Sequence, residues 1–319
     1  MHISRRSMIA GVGAALLAGC GKSEANTSAG RKKVRLTHAL GTVFRPRGVM
    51  EKRLAEQGID VEWLGPFPNH APTLQAVATG SADFSFGGSS TPAAQALLSG
   101  APLRFVAWSQ NTPRNTSIIV KPESGIEHVR DLVGKTVAVN KAGVAEFLLV
   151  AALEKYKVPR DKVEVRYLNP PDAAPAFGAG QIDAWAIWHG PLEMAEVKYG
   201  ARRIFTEANE LDYQIDYGSY LVHKDFVASE PEVVRKVIAA YQEELGWVNA
   251  HRKEATELGF SQAKYPPEVI ARIVDAGLRQ ELHFMDDPGV ANLQRGFDWL
   301  SERKILSGSL KVTDYTVRL

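Results

Sequence analysis

The chain has 319 residues, 45% of them hydrophobic and 23% charged, enough apolar material for two cores and too much for an intrinsically disordered chain. Lys and Arg number 38 against 36 Asp and Glu, a balance that gives nucleic-acid binding no support. The single cysteine rules out an intramolecular disulfide and a multi-thiolate metal site.

The first twenty residues, MHISRRSMIAGVGAALLAGC, run from a basic start through a short apolar stretch to small residues, the pattern of an export signal. The apolar run from Met8 to Ala18 is about half of the ~20 residues a membrane-spanning helix needs, so no permanent transmembrane anchor is expected. Leu17-Ala18-Gly19-Cys20 resembles a bacterial lipobox, in which the cysteine is acylated and becomes the new N-terminus; the alternative is an isolated buried cysteine. Ser4-Arg5-Arg6-Ser7-Met8-Ile9 resembles a twin-arginine motif, which implies folding before export. Two or more acyl chains, at about 0.8 kcal/mol per buried methylene, hold a protein on a membrane stably. Residues 21–33 then read as a small, polar tether. Cleavage before Cys20 removes Arg5 and Arg6 and leaves the mature chain formally neutral. Lipidation of Cys20 also leaves no thiol for catalysis.

From Val34 onward β-type runs alternate with helical ones: VRLTHAL, a helix from Val49 to Glu56, VEWLG, a helix from Thr73 to Thr79, ADFSF, a helix from Thr91 to Leu98, and LRFVAW. A second set follows, with SIIVK, KTVAVN, a helix from Ala145 to Tyr156, KVEVRYL, a helix from Asp172 to Phe177, IDAWAIW and a helix from Leu192 to Tyr199. This alternation predicts an α/β fold with mostly parallel sheets flanked by helices. After GSYLVHK the remainder reads as nearly all helical, over Glu232–His251, Glu268–Leu278 and Val290–Glu302.

TGSADFSFGGSS and AGQIDAWAIWHG share one order: helix end, Gly, Asp, apolar strand, then a glycine-containing turn into a helix. Such turns lie at the carboxyl ends of strands, where open sheets bind ligands. Gly88, Ser89, Ser90 and Thr91 form either an ordinary helix cap or a cradle in which amide N–H groups and hydroxyls face an anion. Asn140 to Leu149 is a second strand-to-helix turn, with Ala142 and Gly143 at the bend. Its Glu146 disfavours an anion there and instead offers a carboxylate to a ligand amine or a nearby base. Trp185 and Trp188 are three residues apart and fall on opposite faces of a strand, so either both pack in the core or one does and Trp188, next to His189 and the Gly190-Pro191 break, faces a cleft.

Catalysis and metal binding find little support. There is no G-x-S-x-G, P-loop or H-E-x-x-H sequence, and His38, His70 and His189 lack any short ligand spacing. Gly178-Ala179-Gly180 precedes its strand, whereas a dinucleotide-binding turn follows one. No metal and no cofactor are expected.

With TGSADFSFGG, VRDLVGKTVAV, YLNPPDAAPAFGAGQIDAWAIW and the lipoprotein signal in view, the chain resembles the solute-binding proteins of ABC importers for aliphatic sulfonates, taurine and nitrate. The resemblance implies a two-lobed periplasmic-binding-protein fold of type II with the ligand between the lobes: lobe I formed by 34–117 and 223–319, lobe II by 118–222. It implies a non-enzymatic, monomeric protein outside the cytoplasm that hands a small organic anion to a permease and its ATPase. By position, Ser89, Ser90 and Thr91 would donate to an oxyanion, Trp188 would pack on the ligand's carbon, and His38, Gly88, Ala142, Gly143, Glu146 and His189 would complete the site.

The departures are Ala142 to Glu146 in place of a Gly-Ser-Ser-rich turn, His189 in place of an acid, and His38-Ala39-Leu40-Gly41-Thr42 in place of a Gln-Lys-Gly type turn. They leave room for a nitrogen-containing or aromatic solute such as a thiamine-type pyrimidine, or nitrate. A desulfinase-like enzyme on the same fold would need a cysteine nucleophile. Micromolar binding requires about 8 kcal/mol, and a helix N-terminus contributes roughly 0.3 to 2 kcal/mol to a bound anion. An aromatic face covering ~100 Å² of ligand carbon adds about 2.5 kcal/mol. An organosulfur anion with an apolar part therefore suits the site better than bare nitrate or sulfate.

Overall fold

The computed structural model describes residues 30–260 and 264–319. The export signal, Cys20 and all but the end of the tether lie outside the described residues, and Lys32–Leu319 forms one compact unit. No helix among the described residues is long and apolar enough to cross a membrane.

The first stretch of chain contains β1 (Lys32–Ala39), α1 (Phe44–Arg47), α2 (Val49–Glu56), β2 (Ile59–Phe67), α3 (His70–Ala78), β3 (Gly88–Ser89), α4 (Ser90–Leu98) and β4 (Leu103–Thr112). Then come β5 (Ser117–Val120), β6 (Thr136–Val139), α5 (Val144–Lys155), β7 (Glu164–Tyr167), α6 (Pro170–Gly178), β8 (Ala184–Ile187), α7 (Pro191–Tyr199), β9 (Arg202–Thr206) and α8 (Glu207–Glu210). The last stretch contains β10 (Gly218–His223), α9 (Lys224–Ser229), α10 (Pro231–Ala250), α11 (Arg252–Phe260), α12 (Pro267–Asp275), β11 (Arg279–Phe284) and α13 (Asp287–Glu302).

Two sheets organise these elements. One has the order β11-β4-β10-β3 and is joined to the parallel pair β1-β2 through bridges of Phe84 with Leu36 and Val222. The other has the order β7-β6-β8-β5-β9. Chain connectivity alternates between them only twice, between Thr112 and Ser117 and between Thr206 and Gly218. The second passage comes earlier than the expected return at 222–223, because β10 pairs antiparallel with β4, Ser219 opposite Trp108.

Three further expectations change. ADFSF is not a continuous strand: only Phe84 bridges, and the short β3 follows it. The C-terminal part contains a strand, β11, paired antiparallel to β4 with Leu282 opposite Ser109. Its polar sequence, RQELHF, hides the alternation because an edge strand buries little. The helix expected to reach Leu278 stops at Asp275, before Gly277 at φ 68°, a left-handed position that a glycine adopts without strain.

Packing explains the helices. In α5, Ala145 and Phe147 to Leu153 are buried apolar residues, the mark of a helix enclosed by its surroundings along most of its length. Its Phe147 meets Trp299 of α13 edge to face at 5.4 Å, so the two parts of the chain share core contacts. In α10, Val233, Val234, Val237, Tyr241 and Leu245 recur at three- and four-residue spacing and form its buried stripe.

Candidate ligand-binding cleft

Between the two sheets lies a cleft with two adjoining chambers, of about 280 and 680 Å³. The smaller is polar, with Ser89, Asn111, Asn115, Glu207 and Asp216 in its walls. The larger is apolar and aromatic, with Phe44, Phe67, Met194, Phe260 and Tyr265. Trp188, His189 and Phe86 line both.

The polar chamber is built around the N-terminus of α4. Asp216 Oδ1 accepts from Ser89 Oγ at 2.7 Å, Ser90 Oγ at 3.2 Å, Thr91 Oγ1 at 3.1 Å and Thr91 N at 3.2 Å. The anion cradle expected at this turn is thus filled by a carboxylate of the chain itself. A helix N-terminus with free N–H groups stabilises such a charge. Burial nevertheless raises the Asp216 pKa, outweighing those hydrogen bonds. Its Oδ2 has no hydrogen-bond partner among the described residues, although Asp216 lines the chamber.

Glu207, at the start of α8, is 4% exposed. Burial pushes its pKa up to about 7; the Arg114 charge opposes the shift and the Asp216 charge adds to it. Arg114 reaches Glu207 Oε1 at 3.4 Å and donates to the Leu211 carbonyl at 2.8 Å, so its charge is shared.

His70, the first residue of α3, donates from Nδ1 to the Ser89 carbonyl at 2.8 Å. Burial lowers its pKa to about 4, so the ring is neutral and Nε2 holds a lone pair. Gly88 has no side chain because a Cβ there would lie 2.4 Å from His70 Cγ. His70 Nε2 and Asn115 Nδ2 are buried without a hydrogen-bond partner. Such orphaned groups cost stability unless something satisfies them.

His189 follows β8 and turns its Nδ1 to Glu193 Oε1 at 3.4 Å, while Glu193 Oε2 accepts from Gly190 N at 2.6 Å. Burial would raise the Glu193 pKa, but the hydrogen bonds and charge of His189 and the backbone hydrogen bonds outweigh it and the carboxyl is held low. Glu193 therefore fixes the orientation of His189 at the junction of the chambers.

Residues 54–255 match the family model described as NMT1/THI5 like. An aliphatic sulfonates-binding protein, as it is named, of Bacillus subtilis (strain 168) is 30% identical over 251 residues, 76% of this chain and 74% of that one. The chain belongs to the NMT1/THI5-like family. This NMT1/THI5-like chain is also 29% identical over 185 residues to the taurine-binding periplasmic protein of Escherichia coli (strain K12), 56% of this chain and 55% of that one. The alkanesulfonate-binding protein SsuA from Xanthomonas axonopodis pv. citri, solved bound to MOPS, superposes with a TM-score of 0.80 at 24% identity, covering 91% of this chain and 99% of that one. The fold is accordingly the two-lobed periplasmic-binding-protein fold; the curated relatives named above are binding proteins, while a desulfurization enzyme, DSZB, shares the fold at 15% identity with a TM-score of 0.67.

The residues singled out from the sequence of this NMT1/THI5-like protein divide into two groups. Gly88, Ser89, Trp188 and His189 line the cleft. Ser90 and Thr91 are fully buried behind it and hold Asp216. Ala142, Gly143 and Glu146 do not enter either chamber. Glu146 accepts from Ala142 N at 2.7 Å, Arg160 at 2.9 Å and Tyr167 at 2.9 Å, which turns it into a groove shared with Lys141 and Arg160. His38 is 6% exposed behind the wall, its ring 6.1 Å from Trp63 and its Nδ1 donating to the Ala39 carbonyl at 3.2 Å.

Asp216, Glu207, Asn115 and Phe260 were not legible as site residues. Asp216 meets Ser90 across 126 positions of chain, and nothing in YQIDYGSY marks that pairing. Among the described residues, no group of three His, Cys, Asp or Glu could hold a metal ion.

Proposed function

We propose that the protein is the solute-binding component of an ABC importer, that the parts built on the two sheets act as closing lobes, and that it captures a small organosulfur solute bearing an ammonium group. The carrying observation is the polar chamber, where Asp216 and Glu207 stand beside unpartnered Asn115 Nδ2. Carboxylates suit an ammonium, and an amide N–H together with His189 suits sulfonate oxygens. Asp216 and Glu207 share the chamber with a single cation, Arg114, so a sulfonate without an ammonium of its own would meet excess like charge. The kinship with a taurine-binding protein and with an aliphatic sulfonates-binding protein supports the same solute class. A cleft-facing Glu146 would have favoured a thiamine-type solute; engaged by Arg160 and Tyr167, it lends that alternative no support.

Closure would bring Trp188 and His189 against the solute, and the closed form would dock on a permease with its ATPase. The mature protein would be a monomer outside the cytoplasm, held by acylated Cys20 through the polar tether. A thermal-shift panel tests the solute: 2-aminoethanesulfonate should raise the melting temperature by several degrees and ethanesulfonate by less. Flat curves for every sulfonate and sulfate ester would remove the solute assignment. Cys20→Ser should move the protein from the membrane fraction to the soluble one.

A further inference from the structure

Helix α12 follows the return of the chain to the first sheet, yet its apolar face is turned to the part built on the second. Val269 and Ile273 are buried in a small cluster with Phe260 of α11, separate from the larger cores. The half-buried side chains against this cluster are Tyr265, Ile270 and, from α7 between β8 and β9, Met194 and Val197. Val269, Ile270 and Ile273 stand at three- and four-residue spacing, which gives a helix one apolar face, and that face meets α7.

Glu196 of α7 also joins the two sides. Its Oε1 accepts from Arg203 Nε of β9 at 2.6 Å, and its Oε2 accepts from Arg272 of α12 at 3.5 Å. The Arg272 side chain is 54% exposed, and an ion pair so open to water contributes little, so the apolar contact carries the attachment and Arg272 sets its register. A Cβ on Gly41 would lie 2.6 Å from the Phe260 ring and one on Gly190 3.5 Å from it, which places the ring between the turn after β1 and the turn after β8. Phe260, Tyr265 and Met194 also wall the larger chamber. All of these contacts are made by the protein's own side chains and need no solute.

We propose that α12 is a clasp across the cleft: its apolar face on α7 holds the two parts together before solute arrives, and solute enters and leaves when that contact parts. The proposal rests on the reading of the two parts as closing lobes and not on the identity of the solute. Parting takes Phe260 and Tyr265 away from Met194 and so opens one wall of the larger chamber. Solute has to wait for this open state, and the clasp therefore limits the rate of exchange.

Cys20→Ser leaves the chain without a cysteine, so spin labels can be attached at introduced ones. Labels on Glu232→Cys of α10 and Lys162→Cys ahead of β7, both exposed positions, report the distance between the two parts. Val197→Asp, which sets a charge in the apolar contact, should lengthen that distance by several ångströms and broaden its distribution. Arg272→Glu, at an exposed position where the fold is not at stake, should shift it the same way to a smaller extent. Saturating 2-aminoethanesulfonate should return both variants to the parent distance and should associate with them severalfold faster than with the parent in stopped-flow tryptophan fluorescence. If the variants open but 2-aminoethanesulfonate does not close them, the solute assignment fails and the clasp stands. Parent distances in both variants, or association no faster than the parent's in variants that do open, would overturn the clasp; a shortening by solute in all three proteins would then leave the closing lobes intact.

Discussion

Thr91 grips Asp216 twice, with its N–H at 3.2 Å and its hydroxyl at 3.1 Å, both on the same carboxylate oxygen. Two hydroxyls from Ser89 and Ser90 complete the set, so one oxygen of Asp216 is held by four donors at the start of α4. The second oxygen has no hydrogen-bond partner among the described residues, in a residue that lines the polar chamber.

Asp216→Ala and Asp216→Asn separate the two roles of this residue. The alanine variant strands the hydroxyls of Ser89, Ser90 and Thr91 and should lose about 1 to 3 kcal/mol of stability. The asparagine variant keeps an acceptor at Oδ1 and should stay nearer the parent in urea unfolding. Both should bind an ammonium-bearing solute at least tenfold more weakly by calorimetry. Unchanged affinity in the asparagine variant would show that the charge plays no part.

Stability against pH should reveal Glu207 and His70 as opposing groups. Native Glu207 holds its proton up to about 7 against 4.5 for an ordinary glutamate, so between those values the native state binds more protons and stability falls as pH rises. The loss is up to about 3 kcal/mol. Native His70 is neutral down to about 4 against 6.5, so its contribution rises with pH over that window. Unfolding free energies of Glu207→Gln should climb more steeply from pH 4.5 to 6.5 than those of the parent, and those of His70→Asn should decline. Parallel curves for all three proteins would refute both assignments.

Trp185 and Trp188 should fail in different ways. Trp185 is 2% exposed and packs on Phe177, with ring centroids 6.0 Å apart, so Trp185→Ala should cost about 3 to 5 kcal/mol of stability. Trp188→Ala should weaken solute binding more than tenfold with a much smaller loss in unfolding free energy. Equal effects of the two substitutions on both measurements would contradict the division.

Glu146→Gln should act on stability alone. Its partners are Ala142 N, Arg160 and Tyr167, none of them in the cleft. A loss of about 1 to 3 kcal/mol is expected, with Arg160 itself 40% exposed and so partly compensated by water. Titration with 2-aminoethanesulfonate should give the parent affinity; a tenfold change would return Glu146 to the site.

The α/β class, most of the helices and the deeper burial of Trp185 relative to Trp188 were legible in the sequence because they rest on local spacing: a continuous apolar run in AWAI, three- and four-residue repeats in α10, a glycine-proline break after His189; both tryptophans nevertheless border the aromatic chamber. Strands β9 and β11 escaped because edge strands bury little and their sequences, RRIFT and RQELHF, look polar. The turn at Gly88 to Thr91 reads as either a helix cap or an anion cradle, and its donors hold the carboxylate of Asp216.

That last difference marks the boundary between the two sources. By itself the sequence determined where a donor-rich helix start, a pair of strand tryptophans and a strand-end histidine would form, since each depends on neighbours within a few residues. Only the tertiary structure decided that Asp216 caps that helix start, that Glu146 turns to Arg160, and that an aromatic chamber adjoins a polar one. Those outcomes depend on antiparallel pairing of β10 with β4 and on packing between segments more than a hundred residues apart, and residue spacing carries no record of such contacts.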